Sequence, residues 1–182
     1  IEMHVYKEYL FKPQTVALYS EQDFIIKFWC YVFEEIFSNS GLSLHWGDTH
    51  PKRAKNEKMK MKIDLRVLST MNTKQPDLSV GEFAKKAIPS KLYNDKLKEV
   101  LISKFHLNHL LLSGLPQTTT VIPLIQIMGF SCQIYVLKYL KGFYVLQNIH
   151  NISFPTTHQA LKENGIMNLI SSIETVKVRK NK

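Results

Sequence analysis

Two acidic residues, each in the middle of an apolar segment, are the first candidates for chemistry in this sequence. Asp64 lies in Lys-Ile-Asp-Leu-Arg-Val (62–67), and Glu82 lies in Val-Gly-Glu-Phe-Ala-Lys-Lys (80–86). Carboxylates at the centres of adjacent strands can hold Mg²⁺ or Mn²⁺ through oxygen atoms, and a nearby lysine can orient water and stabilise charge that develops on a phosphate. The pair therefore predicts metal-dependent hydrolysis of a phosphate ester.

Two lysines, Lys85 and Lys86, follow Glu82 and are the candidates for the assisting cation. In a regular strand Lys86 shares a face with Glu82 but lies about 13 Å along the chain from it. Lys85 points to the other face unless a bulge near Gly81 or Ala84 rotates it. The sequence leaves open which lysine assists, and it also leaves open a loss of catalysis.

A purely structural role explains the same carboxylates equally well. Asp64 is flanked by Lys62 and Arg66, as expected for a solvated strand face with cross-strand ion pairs. Glu82 could then pair with Arg66 and have no further role. Both interpretations stay open at this point.

Weaker candidates are scattered elsewhere in the chain. Glu34 and Glu35 end the first long helix and could add a carboxylate, and Gln126 lies on the strand after the second helix. Asp48 follows Gly47, a pair more typical of a turn than of a metal site. His106 and His109 are three residues apart and can share one face of a helix. Such a pair can bind a metal ion, but more commonly it is simply a polar part of the helix surface.

The elements that must position these residues follow from hydrophobic periodicity. Residues 59–68 alternate apolar and polar side chains, which predicts a half-buried strand with a basic outer face. Gly81 indicates a bulge or a close backbone approach within the next strand. The other predicted elements are a helix over 20–37, a strand over 78–84, a helix over 91–112, strands over 122–130, 132–139 and 143–150, and a helix over 156–173.

This order predicts an α/β (α+β) fold, with a central mixed sheet flanked by helices. At 182 residues the chain is the length of a single domain, 1–182, with an irregular lead-in over 1–19 and a basic tail over 176–182. The first residue is Ile1 rather than Met, which indicates a fragment or an incomplete gene model; a lost targeting segment stays open.

The placement of Asp64 and Glu82 resembles the PD-(D/E)XK, or restriction-endonuclease-like, nuclease superfamily, over roughly residues 20–130 in element order. The resemblance implies a restriction-endonuclease-like fold and phosphodiester hydrolysis with Mg²⁺ held by Asp64 and Glu82, assisted by Lys85 or Lys86. Lysine would be expected two residues after Glu82, where this chain has Ala84. The chain is also similar to uncharacterised proteins of mucoralean fungi with Trp-Gly-Glu/Asp, Lys-x-Asp-Leu-Arg and Gly-Glu-Phe segments.

The charge balance favours a polyanionic partner. The chain has 24 Lys and Arg against 15 Asp and Glu, a formal charge of +9. Much of the excess lies in 51–66, so we expect nucleic acid, DNA rather than RNA, as the partner. The alternative to an active nuclease is a catalytically inactive interaction module. Binding to an anionic lipid surface is a third interpretation, and no helix has the amphipathic pattern that it requires. The candidate nucleic-acid-binding residues are Lys52, Arg53, Lys55, Lys58, Lys60 and Lys62.

Other function classes lack their signatures. There is no phosphate-binding loop, dinucleotide fingerprint, His-Glu-x-x-His motif or Cys-x-x-Cys pair. The longest segment without charged residues, 105–137, is interrupted by polar residues and proline, so we expect no membrane span. Cys30 and Cys132 are too few for a disulfide framework and predict buried thiols in a reducing, intracellular compartment, nuclear or cytoplasmic.

Overall fold

The computed structural model describes residues 2–51, 61–71 and 77–177. The helices are α1 (Glu2–Tyr6), α2 (Pro13–Ala17), α3 (Glu21–Phe24), α4 (Cys30–Phe37), α5 (Pro89–Leu112), α6 (His158–Lys162) and α7 (Gly165–Glu174). The strands are β1 (Leu42–Thr49), β2 (Ile63–Ser69), β3 (Ser79–Ala84), β4 (Val121–Met128), β5 (Ser131–Leu140) and β6 (Phe143–Ser153). A π-helical turn, Ile25–Trp29, joins α3 to α4.

The six strands form one sheet in the order β1-β2-β3-β4-β5-β6. Neighbouring strands are antiparallel except β3 and β4, which are parallel. A parallel pair requires a crossover connection, and α5 lies in the segment that makes it. The predicted class, a mixed sheet flanked by helices, is confirmed at this level.

The sheet is covered on both faces, which makes three layers. The α3–α4 segment and α7 contribute to one core with side chains such as Leu65, Phe83 and Ile125. On the opposite face α5 packs against side chains such as Val80 and Leu124. On β3 and β4 the residues of even number therefore face α5, which places Glu82 on this face, and the charge of Asp64 on β2 acts on Glu82.

Gly81 makes the close approach that its position predicts. A Cβ atom at this residue would lie 3.2 Å from both the Ile125 carbonyl oxygen and Leu65 Cβ. These atoms belong to the two neighbouring strands, so a side chain at Gly81 would require them to move by a few tenths of an ångström. The glycine thus lies in close contact with β2 and β4 beside the carboxylates.

The amino-terminal region has more structure than its lack of a period indicates. It contains α1, a 3₁₀ turn over Glu8–Phe11 and α2, and it buries Leu10 and Tyr19. Elements this short have no room for a recurring apolar face, so periodicity does not detect them. The tail beyond Lys177 lies outside the described residues.

Two other elements differ from the sequence-based expectation. The predicted helix over 156–173 is divided into α6 and α7, because Asn164 adopts a left-handed conformation with φ of 62°. The Gly47-Asp48 pair lies inside β1 rather than in a turn, at a register irregularity between Trp46 and Thr49. Gly47 has φ of 85°, a value that glycine adopts readily.

The described part of the chain contains no helix long and apolar enough to cross a membrane.

Candidate functional site

Strand register brings Asp64 and Glu82 together. The last pairing of β2 with β3 is Leu65 with Gly81, and one residue further the register places Asp64 opposite Glu82. Residues opposite each other on antiparallel strands have their side chains on the same face. The two carboxylates therefore share the face beneath α5, as the sequence predicts for neighbouring strands.

Glu82 is almost completely buried, with 2% of its surface exposed, and binds a lysine from α5. Lys98 Nζ lies 2.6 Å from Glu82 Oε2. Glu82 Oε1 has no hydrogen-bond partner among the described residues. One oxygen of this carboxylate is thus held by a cation, while the other keeps unused acceptor capacity.

Burial and the charge on Asp64 raise the pKa of Glu82 to about 8, although Lys98 opposes the shift. Burial also raises the pKa of Asp64, against the effect of the Phe83 backbone N–H, which donates to Asp64 Oδ2 at 2.9 Å. Loss of solvation therefore disfavours the charged form of both carboxylates, and the charge on Asp64 further disfavours ionisation of Glu82. A cation at this pair would relieve that cost.

A second lysine and a third carboxylate lie at the margin of the pair. Lys91 Nζ donates to Glu21 Oε2 at 2.5 Å and to the Phe83 carbonyl oxygen at 3.2 Å. Glu21 is the first residue of α3, and its negative charge raises the pKa of Asp64. The site therefore combines residues of α3, β2, β3 and α5.

More polar groups are buried beneath α5. Glu99 is fully buried, close to the backbone of Glu82. Burial and the negative charge of Glu82 raise the pKa of Glu99 well above its usual value, although the Glu82 backbone opposes the shift. Gln126 pairs in register with Glu82 and donates to the Leu92 carbonyl oxygen at 3.0 Å. Gln126 thus lies beside the carboxylates and ties β4 to α5.

The two lysines that the sequence offered lie elsewhere. Lys85 Nζ donates to the Ala17 carbonyl oxygen at 3.2 Å, because Lys85 follows the end of β3 with its side chain toward the amino-terminal region. Lys86 is exposed in the bend after β3. Lys98 occupies the position beside Glu82 instead. Helical spacing was the available signal, since Lys91, Asp95 and Lys98 follow one another along α5 at intervals of four and three residues.

Arg66 does not pair with Glu82. Its Nε and Nη2 donate to Asp77 Oδ2 at 2.6 Å and to Asp77 Oδ1 at 2.8 Å. His106 Nε2 lies 3.5 Å from Asp77 Oδ2, which places this histidine in a buried polar cluster. The structural explanation for Glu82 as the partner of Arg66 is therefore wrong.

The proposed nucleic-acid-binding residues can be placed only in part. Lys52, Arg53, Lys55, Lys58 and Lys60 lie outside the described residues. Lys62 is exposed, and its Nζ lies 3.2 Å from Asp48 Oδ2. A backbone phosphate would have to compete with Asp48 for this lysine.

Other candidates make contacts elsewhere in the fold. Glu34 Oε1 accepts a hydrogen bond from Trp46 Nε1 at 2.6 Å, and Glu35 is exposed on α4. His109 packs against the Phe105 ring. Within the described ranges no three His, Cys, Asp or Glu side chains are arranged to hold a metal ion.

Glu82 should make the stability of the fold depend on pH. Its pKa is about 8 in the folded chain and 4.5 ordinarily, so the folded state retains a proton that the unfolded state releases. Stability is then highest below the lower value, falls as pH rises through this interval, and stays low above it. We expect Glu82→Gln to raise Tm relative to wild type more at about pH 9 than at about pH 5 in thermal unfolding followed by circular dichroism. An equal difference at both pH values would contradict a buried carboxyl with a raised pKa.

Comparison of the chain with protein-family models, with curated proteins and with solved structures finds no match.

Proposed function

We propose that this chain is a nucleic-acid phosphodiesterase that uses Mg²⁺ held by Asp64 and Glu82. The observation that carries the proposal is the placement of two carboxylates opposite each other on β2 and β3, with Lys98 Nζ 2.6 Å from one of them. Paired carboxylates with an adjacent cation are the residue types that metal-assisted phosphoryl chemistry requires.

The order of elements supports a restriction-endonuclease-like fold as part of this proposal. A helical segment (21–37) precedes three antiparallel strands, and then α5 leads to a strand parallel to β3. This is the order of helix, strands, helix and strand that the PD-(D/E)XK resemblance implies. The carboxylates fall on consecutive strands within that order.

The donor set fits Mg²⁺. Hard cations prefer carboxylate oxygens, and Glu82 Oε1 is a buried oxygen with no hydrogen-bond partner among the described residues. Bound Mg²⁺ would supply positive charge to a phosphoryl oxygen and lower the pKa of a water molecule. Asp64, already oriented by the Phe83 N–H, would provide the second carboxylate.

Lys98 takes the part that Lys85 and Lys86 were expected to take. Its ammonium group donates to Glu82 Oε2 and so lies beside a carboxylate that would hold the metal. From there it can orient the attacking water or stabilise negative charge on the transferring phosphoryl group. Because Lys98 on α5 would provide the cation, β3 would not need a lysine at residue 84.

The lysine assignment predicts different effects of two substitutions. We expect Lys98→Ala to lower the rate of cleavage by about 100-fold, since it removes a charge beside the reacting centre. Lys85→Ala should change the rate less than about 3-fold, because an exposed lysine that binds a main-chain oxygen is removed. Single-turnover cleavage rates, with binding measured separately, make the comparison. A larger loss for Lys85→Ala than for Lys98→Ala would return the role to β3.

Degradation of labelled single- and double-stranded DNA and RNA in Mg²⁺ or Mn²⁺ tests the proposed activity. The proposal predicts cleavage of at least one substrate that stops on chelation of the metal. Metal-independent cleavage, or none of any substrate, would contradict it.

A catalytically inactive nucleic-acid-binding module is the second candidate. The observation in its favour is that within the described residues no third carboxylate completes a metal-binding group with Asp64 and Glu82. In that case all four substrates would stay intact while the chain still bound at least one of them. Binding that weakens with added salt would identify contacts to the phosphate backbone.

A further inference from the structure

The lysines around the end of the β5–β6 hairpin have neutral partners. Lys138 Nζ donates to Gln147 Oε1 at 2.8 Å, and Lys104 Nζ on α5 lies 4.6 Å from the centre of the Tyr144 ring. Lys141 is exposed in the turn between the strands. An amide or an aromatic ring does not cancel the charge of an ammonium group, so the end of the hairpin keeps its positive charge.

Several lysines elsewhere are compensated by a carboxylate instead. Those with an acidic partner include Lys27, Lys62, Lys91, Lys98 and Lys177. The sequence accounts for the difference, because the segment from Val100 to Lys162 contains four lysines and no Asp or Glu. The second half of α5 and strands β4, β5 and β6 all belong to this segment. Positive charge therefore accumulates on one side of the fold.

Phe143 provides an exposed aromatic ring next to these lysines. It is 73% exposed, and no ring contact with another described residue involves it. It pairs in register with Leu140, and Lys141 and Gly142 between them have φ of 48° and 88°, values typical of a two-residue hairpin turn. The turn thus holds the Phe143 ring beside Lys141 and leaves it open to solvent.

Strand register places the ring and one of the lysines on the same face of the hairpin. Val145 pairs with Lys138, two residues along from the pair of Phe143 with Leu140. Side chains of paired residues and of residues two apart share a face, so these four lie together. With Lys141 in the turn they form a basic and aromatic patch, which we call the hairpin surface.

We propose that the hairpin surface binds single-stranded nucleic acid. A base would stack on the Phe143 ring, while Lys138 and Lys141 would contact phosphates on either side of it. Stacking on a protein ring needs a base that is free of a duplex, which is why the ligand is a single strand. The inference rests on the proposed function for its ligand class, and it adds a binding surface apart from the carboxylate pair.

A single strand fits this surface better than an anionic membrane does. Lys141 and Gly142 lie at the very end of the hairpin, so insertion of Phe143 into an apolar layer would bring an ammonium group with it. Burial of an unpaired charge in such a layer is costly. A single strand instead alternates phosphates with bases, and the hairpin surface offers lysines beside a ring.

Fluorescence anisotropy with labelled oligothymidylate and oligouridylate tests the stacking contact, with EDTA present so that no metal-dependent cleavage occurs. At least one of them should bind wild type, and Phe143→Ala should weaken that binding about 10-fold, the effect of losing one stacked base. Tyr31→Ala is the matched control, since Tyr31 on α4 is also 73% exposed. It should change the affinity less than about 2-fold, because no base stacks there.

Salt dependence tests the phosphate contacts. Lys138→Ala combined with Lys141→Ala should lower the slope of log affinity against log salt by about 1.4, since each phosphate contact to a single strand contributes about 0.7. Lys7→Ala combined with Lys12→Ala removes the same charge from exposed positions in the amino-terminal region. This control pair should leave the slope unchanged.

The proposal is overturned if wild type binds neither oligonucleotide, if Phe143→Ala binds as tightly as Tyr31→Ala, or if the two lysine pairs change the slope equally. Phosphatidylserine vesicles that lose affinity for Phe143→Ala, while oligonucleotide binding is unchanged, would assign the surface to lipid. Cleavage, measured separately, distinguishes this failure from that of the proposed activity. Oligonucleotides that bind through the hairpin surface but stay intact in Mg²⁺ would contradict the activity alone.

Discussion

Asp64→Asn is expected to lower metal-dependent cleavage by about 100- to 1,000-fold, the loss typical when a group that stabilises the transition state is removed from a preorganised site. The substitution keeps the size of the side chain, and the amide oxygen of asparagine can still accept from the Phe83 N–H, as Asp64 Oδ2 does at 2.9 Å. It removes the negative charge that a divalent cation requires. Local structure is thus preserved while the metal site loses a charged ligand.

An exposed carboxylate elsewhere in the chain provides the control for this prediction. Glu35→Gln removes a negative charge from an exposed position on α4 and should leave the cleavage rate within about 2-fold of wild type, since surface charges away from a site have small effects. Cleavage rates are compared at saturating Mg²⁺ on the most rapidly cut substrate. If Asp64→Asn cleaves as fast as Glu35→Gln, Asp64 is not a metal ligand.

Asp77→Ala is expected to destabilise the fold by about 3–5 kcal/mol, the cost of leaving one partner of a buried ion pair without its counter-charge. The side chains of Arg66 and Asp77 are only 6% and 5% exposed and form two hydrogen bonds with each other. Alanine at residue 77 would leave the Arg66 guanidinium buried without that carboxylate. The measurement is the free energy of unfolding from urea titration.

An exposed ion pair gives the comparison for this loss. The side chains of Lys62 and Asp48 are 53% and 67% exposed, and Asp48→Ala should cost at most about 1 kcal/mol. Replacing the buried pair as a whole, with Arg66→Met and Asp77→Leu together, should recover much of the stability lost in Asp77→Ala. Equal costs for Asp77→Ala and Asp48→Ala would show that the buried pair contributes little.

Local patterns were sufficient for most of the sheet and its helices. Alternation in 59–68 predicted the strand that carries Asp64. The side chain of Ser20, a residue type favoured at helix N-caps, caps the helix that begins at Glu21. Gly81 was read correctly as a point of close backbone approach. These features depend on neighbours in the sequence, so the sequence alone reveals them.

The lysine of the site could not be found in the same way. Lys98 is sixteen residues from Glu82. The spacing of Lys91, Asp95 and Lys98 indicates a shared helix face, but it does not show which part of the sheet that face covers. The helix also departs from the amphipathic pattern expected of it. An amphipathic helix would bury its leucines, yet Leu97 and Leu101 are 44% and 43% exposed.

Polar residues of α5 share its buried face with Ile102, Leu107 and Leu110. Glu99, Ser103 and His106 are buried toward a sheet that presents Glu82 and Gln126 on the same side. A helix that covers a polar site must turn polar side chains toward it. Hydrophobic periodicity assumes the opposite, that the buried face of a helix is apolar. The disagreement between pattern and burial therefore marks the candidate site.

The central claim is that Asp64 and Glu82 together bind a divalent cation. Titration with Mn²⁺, followed by calorimetry, tests this claim most directly. The titration is done at about pH 8.5, because deprotonated carboxylates bind metal best. The account predicts saturable binding of Mn²⁺ to wild type, loss of that binding in both Asp64→Asn and Glu82→Gln, and its retention in Glu35→Gln. Absence of saturable binding to wild type, or equal binding by all four proteins, would contradict the claim.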